Sequence, residues 1–98
     1  MNYEKQLQQL LLQIPQGRIT TYKEIAHAMG HKGYRFVGSL LNKNQHPDTY
    51  PCYKVVNADG RVGGFALGQK EKIRRLHADG IEIENGKIAA FKNRLHSF

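Results

Sequence analysis

The residue with the clearest chemical potential is Cys52, the single cysteine among 98 residues. Alone it cannot close an internal disulfide, and without a second thiol no CxxC-type zinc site can form. It is therefore either a small buried hydrophobe or a nucleophile. A nucleophilic role requires the thiolate, and a free thiol with a pKa of about 8.5 is only a few per cent ionised at neutral pH. Something must take the proton or stabilise the charge. The run Pro51-Cys52-Tyr53-Lys54-Val55-Val56 sets a phenol and an ammonium beside the thiol. With a pKa near ~10, the phenol is a poor base at pH 7.

Fifteen Lys and Arg against eight Asp and Glu give a formal charge of +7. That creates a positive field that favours a polyanionic partner, with nucleic acid the leading class. The five histidines have no ligand-like spacing, so neither a metal nor another cofactor is expected. No run approaches the roughly 18 to 20 apolar residues that span a bilayer, and the start MNYEKQLQQL lacks the apolar centre of a signal peptide. The expectation is a cytoplasmic protein, nuclear if eukaryotic, with no membrane partner. An apolar content of 40% suits one domain with one modest core.

Helices dominate the elements that must position Cys52. Tyr3, Leu7, Leu10, Leu11 and Ile14 recur at helical spacing after Asn2, a good N-cap, and Pro15 with Gly17 ends the segment. Thr21 and Glu24 have the spacing of a capping box ahead of Ile25, Ala28 and Met29, and Gly30 supplies the stop. After His31-Lys32-Gly33, the residues Phe36, Val37, Leu40 and Leu41 share one helical face, broken by the polar run 42–47. Two short helices joined by a Gly-containing turn predict a helix-turn-helix, with Lys32, Arg35 and Lys43 as its cations. Gly38 and Ser39 lie mid-helix, where Gly costs about 1 kcal/mol relative to Ala; small residues there allow close approach of another backbone.

From Pro51 to Val56 the chain reads as extended, with Cys52 near its start and a turn at Asn57–Gly60. Gly63, Gly64 and Gly68 flank Phe65-Ala66-Leu67 in a flexible loop without the Lys-Ser/Thr of a P-loop. Gln69–Asp79 predicts a basic helix with Ile73 and Leu76 inward; a hairpin around Asn85-Gly86 and a basic tail from Ala90 follow. The fold class is mainly α with small β elements, a winged helix-turn-helix-like single domain.

The segment around Cys52, preceded by the Arg35 helix-turn-helix and followed by the Gly-rich loop, resembles the C-terminal domain of the O6-alkylguanine-DNA alkyltransferases, whose usual motif is Pro-Cys-His-Arg-Val. The resemblance runs from Leu7 to Ile83 with its motifs at their mutual spacing. It has no counterpart of the family's N-terminal domain, so a single alkyltransferase-type domain over residues 1–98 is expected. Gly17-Arg18-Ile19-Thr20-Thr21-Tyr22 resembles the family's Gly-x-Val-x-Thr/Ser-Tyr segment. Tyr22 then stands for the tyrosine that rotates the target phosphate and protonates the leaving guanine. Arg35 stands for the finger that fills the gap in the base stack.

The same resemblance implies that the helix carrying Arg35, Phe36, Gly38 and Ser39 enters the minor groove of double-stranded DNA. Asn44 braces the cysteine loop, Val55 and the Cys52 carbonyl face the guanine edge, and Phe65 and Ala66 replace the usual tyrosine and serine of the pocket wall. Backbone N–H groups of the Ala66-Leu67-Gly68 stretch receive O6. The alkylated guanine must leave the helix to be reached, at a cost of a few kcal/mol in lost stacking.

Two positions depart from the family. Tyr53 replaces the histidine base and Asp79 the glutamate behind it. Three compensations suggest themselves: Lys54 beside the thiolate, a helix N-terminus aimed at Cys52, or a relay from Tyr53 to Asp79. The leading expectation is a monomeric, single-turnover methyltransferase that alkylates Cys52. The alternatives are an alkyltransferase-like sensor that binds the lesion and recruits nucleotide-excision repair proteins, and a plain DNA-binding module.

Overall fold

A computed structural model describes residues 2–31 and 33–98. The Lys32 expectation falls outside them. Helix α1 (Tyr3–Gln13) starts where Asn2 accepts from the Lys5 N–H, and buries Leu7, Leu10 and Leu11. Strand β1 (Thr20–Thr21) leads directly into α2 (Tyr22–Ala28). The Thr21 hydroxyl accepts the Glu24 N–H at 3.0 Å, the cap that the Thr21/Glu24 spacing predicts. Helix α3 (Tyr34–Asn42) follows, with Val37 and Leu41 buried.

The segment at Cys52 is less extended than its sequence suggests. Cys52–Lys54 form a 3-10 turn, and only Val55–Val56 are strand, β2. Pro51 ahead of the turn and the Lys54 N–H donating to the Pro51 carbonyl at 3.2 Å tighten the chain there. Strand β2 pairs in parallel with β1, Thr20 opposite Val55 and Thr21 opposite Val56. Through this pairing the residue before Tyr22 lies alongside the strand that follows Cys52.

The single core expected from composition is two clusters. Val55 joins the side chains of α1, α2 and α3 with Cys52, whereas Val56 joins Ile19, Val62, Leu76, Ile81 and Ile88. Alternate residues of a strand point to opposite faces, so β2 serves both clusters. Helix α4 (Gln69–Ala78) closes the second one, with Leu76 inward and Asp79 as its C-cap. Strands β3 (Ile83–Glu84) and β4 (Lys87–Ile88) form the hairpin around Asn85-Gly86, both at positive φ. The basic tail is ordered: α5 (Phe91–Arg94) leads to Leu95, which bridges Ile19. No helix among the described residues is long and apolar enough to cross a membrane.

Candidate functional site

Cys52 is 6% exposed and lies against a cavity of about 400 Å³. Tyr22, Arg35 and Gly38 from α2 and α3 form one wall; Phe65 and Ala66 form the other, with Asn57 beside them. The capping of α2 by Thr21 and the β1–β2 pairing bring Tyr22, the first residue of α2, to this cavity. Arg35 and Ser39 lie exposed on α3. Nothing lies within 4 Å of a Cβ built on Gly38, so no internal packing requires glycine there. Its small size leaves room on the outer face.

Asn44 spans the loop between α3 and the thiol. Its amide donates to the Tyr50 carbonyl at 3.0 Å and its oxygen accepts the His46 N–H, which holds the side chain close to Cys52. Burial pushes the thiol above its usual pKa; the nearby Asn44 side chain, the local backbone and the charges of Lys72 and Arg75 pull in the other direction. Burial also raises Tyr22, and the nearby Cys52 adds to the effect. The site holds a mostly protonated thiol beside a protonated phenol.

Lys72 and Arg75, both on α4, are functional candidates that the sequence reading missed. Lys72 is fully buried; its ammonium donates to the Val55 carbonyl at 2.6 Å and the Gly64 carbonyl at 2.9 Å, tying β2 to the Gly-rich loop. Burial lowers its pKa to about 8 while the proximity of Cys52 opposes that shift, so it is cationic at neutral pH. The turn around Gly63 accommodates this: φ is +76°, and a Cβ there would come within 2.9 Å of the Asn57 oxygen. Arg75 pairs with Asp48 at 3.0 Å and sits 5.5 Å from the Phe65 ring, linking the loops on both sides of Cys52. The only signal in the sequence was a surplus of cations on a helix whose apolar face holds just Ile73 and Leu76.

Lys54 does not serve the thiol. Its ammonium turns to the carbonyls of Ile14 at 3.1 Å and Pro15 at 3.4 Å, and to Asp79 at 3.7 Å, because the open carbonyls after α1 and a buried carboxylate lie on that side. Tyr53 packs against the second cluster; burial and the Asp79 carboxylate beside it push its phenol up to about 12. Tyr53 and Asp79 line one pocket, but among the described residues no hydrogen bond in the structure joins them or joins Tyr53 to Cys52, so the expected relay is not formed.

Four other expected positions differ in detail. Phe36, expected on the DNA side, turns inward, stacked on His31 at 4.5 Å and edge-on to Tyr3 at 4.9 Å. Its large apolar ring gains more from that contact than from water. The Val55 side chain is fully buried in the first cluster, so it backs the cavity without lining it. Leu67 is 51% exposed and stands outside the cavity wall. Of the loop amides, Gly68 is engaged internally, donating to the Phe65 carbonyl at 2.9 Å.

A helix-turn-helix with a small hairpin, and α3 beside a cavity with a thiol in its wall, is the arrangement of a class of DNA-binding domain. The family described as "6-O-methylguanine DNA methyltransferase, DNA binding domain" matches residues 2–81, and the chain belongs to it. A bifunctional methyltransferase/endonuclease of Picrophilus torridus is 48% identical over 93 residues, 94% of this chain and 31% of that protein. The chain thus spans about a third of that relative's length. A DNA base-flipping protein of Vibrio parahaemolyticus is 38% identical over 82 residues, 82% of each. In fold, the chain is similar to Schizosaccharomyces pombe Atl1, solved in complex with damaged DNA containing O6-carboxymethylguanine, with TM-score 0.86 over 98% of this chain and 95% of that one at 22% identity. The domain is of the DNA-repair type, in a family that includes both alkyltransferases and alkyltransferase-like proteins.

Proposed function

We propose that this domain binds double-stranded DNA through the minor groove, turns an O6-alkylated guanine into the cavity beside Cys52 and takes the alkyl group irreversibly onto that thiol. The observation that carries the reading is the placement of the chain's single cysteine against a cavity shared with Tyr22, Arg35 and Phe65. Extruding the base leaves a gap in the stack, which the exposed Arg35 at the start of α3 can fill.

In the transfer, the Cys52 sulfur attacks the alkyl carbon in line with O6. The S–C bond forms, the C–O6 bond breaks, and its electron pair leaves with guanine. The thiol gives its proton to solvent as it ionises, the Tyr22 hydroxyl protonates the departing guanine and Tyr22 recovers a proton from solvent, so the proton lost by the thiol is balanced by the one that guanine gains. Asn44, Lys72 and Arg75 favour the thiolate, consistent with their opposing effect on the burial of Cys52. A phenol held at about 12 keeps its own proton at neutral pH, so Tyr53 serves as a partner of Asp79 and not as the base. The thioether has no built-in route back, and one molecule acts once, as a monomer without a cofactor.

A second reading is favoured by the fold likeness to Atl1 and by the phenol in the place of a base: the domain flips and holds the lesion without transfer, and other repair proteins, those of nucleotide excision included, act on the complex. Incubating the protein with a duplex carrying O6-methylguanine and measuring its intact mass tests both. A gain of one CH2 unit on Cys52 supports transfer. Lesion-selective binding without that gain supports sensing, and neither result would reduce the domain to a plain DNA-binding module.

A further inference from the structure

Tyr34 is the most exposed large hydrophobic side chain among the described residues, at 60%, and it sits at the first position of α3 next to Arg35. A lone exposed tyrosine is ordinary. This one stands between two cavities. Besides the cavity at Cys52, a second of about 330 Å³ lies among Tyr22, Lys23, Tyr34, Asn57, Ala58 and Asp59. Tyr22, Tyr34 and Asn57 belong to both.

The second cavity offers two phenol rings as apolar walls, an amide for edge hydrogen bonds, and the exposed ammonium of Lys23. Rings that present a π-face beside a cation suit a nucleobase with its phosphate, and stacking on an aromatic side chain tolerates any base. The one anion there, Asp59, is 3.5 Å from the Arg61 guanidinium, which offsets its charge toward a phosphate. Because the two cavities share Tyr22, Tyr34 and Asn57, a strand that delivers one nucleotide to the Cys52 cavity brings the next within reach of the second.

We propose that this second cavity takes the base adjacent to the flipped one on the damaged strand, stacked on Tyr34, so that the domain engages two consecutive nucleotides. The inference rests on the base-flipping reading above. It makes Tyr34 a binding residue that sets preference for sequence context, with purines favoured at the adjacent position because they present the larger π-face.

The test is a thermodynamic cycle between Tyr34 and the neighbouring base. Binding is measured in a Cys52→Ser background, which prevents transfer, to O6-methylguanine duplexes that are intact or lack the base 5′ to the lesion, 3′ to it, or opposite it. With Tyr34 present, removing the base on one flank should weaken binding about tenfold; with Tyr34→Ala the same removal should have little effect, and Tyr34→Phe should restore the loss. Lesion preference without coupling to either flank would overturn the inference and leave base flipping intact, as would coupling only to the opposite base. Absence of any lesion preference would remove the base-flipping reading, and the inference with it.

Discussion

On the cavity side of Cys52 stand Tyr22, Arg35, Gly38 and Phe65, a helix with an open outer face and an aromatic wall. Toward the C-terminal end of α4 stand Tyr53, Lys54 and Asp79: a phenol raised to about 12 and a buried ion pair at 3.7 Å. The first side has the parts needed to receive a base. The second has no group of ready basicity toward the thiol, and what favours the thiolate comes from Asn44, Lys72 and Arg75 instead. On the proposed reading, binding a flipped base and ionising the nucleophile fall to different residues, and each can be altered while the other stays.

Cys52→Ser should break the two sides apart most completely. Transfer should vanish because an alcohol is a far weaker nucleophile than a thiolate, while affinity for lesion duplex should change little. Loss of DNA binding in that variant would show that the thiol is also part of the binding surface. Lys72→Met should come next. It leaves the Val55 and Gly64 carbonyls without their ammonium, which should cost about 2 to 4 kcal/mol in chemical denaturation. It should also move the pH midpoint of Cys52 alkylation by iodoacetamide upward, since one of the cations favouring the thiolate is gone. A midpoint that stays put would confine Lys72 to holding the loop.

Arg35→Ala should have a smaller effect, confined to the cavity side: about 2 kcal/mol, or roughly thirtyfold, in affinity for lesion duplex, with thermal stability unchanged because the side chain is exposed. Equal weakening toward damaged and undamaged DNA would recast it as a phosphate contact.

The sequence was readable where local rules decide the structure. The Thr21/Glu24 spacing places α2, the Asn2 cap places α1, and Asn85-Gly86 places the hairpin, because each is determined by residues within a few positions. It was less readable where distant parts meet. Two-residue strands carry no alternation to detect, so the pairing of Thr20–Thr21 with Val55–Val56 was missed, and with it the split of the core. Lys72 reads as a surface cation on a basic helix and is instead fully buried, since its partners are carbonyls 8 and 17 residues away. Of the site, Cys52 and the residues that the family resemblance singles out, Tyr22, Arg35, Phe65 and Ala66, line one cavity. The orientations of Lys54 and Phe36 depend on what the folded chain places next to them, Asp79 in one case and Tyr3 in the other.

The most direct measurement is the initial rate of Cys52 alkylation by O6-methylguanine duplex against pH, for the natural chain and for Tyr53→His. Because burial holds the thiol above its usual pKa, the thiolate fraction is small at neutral pH and grows as pH rises, so the rate should climb from about pH 7 to beyond 9. Tyr53→His should match or exceed it near neutrality, where an imidazole can accept the proton. A flat profile would contradict the account by showing that ionisation of Cys52 does not limit the rate, and a large loss of rate in Tyr53→His would contradict it by giving Tyr53 a role of its own.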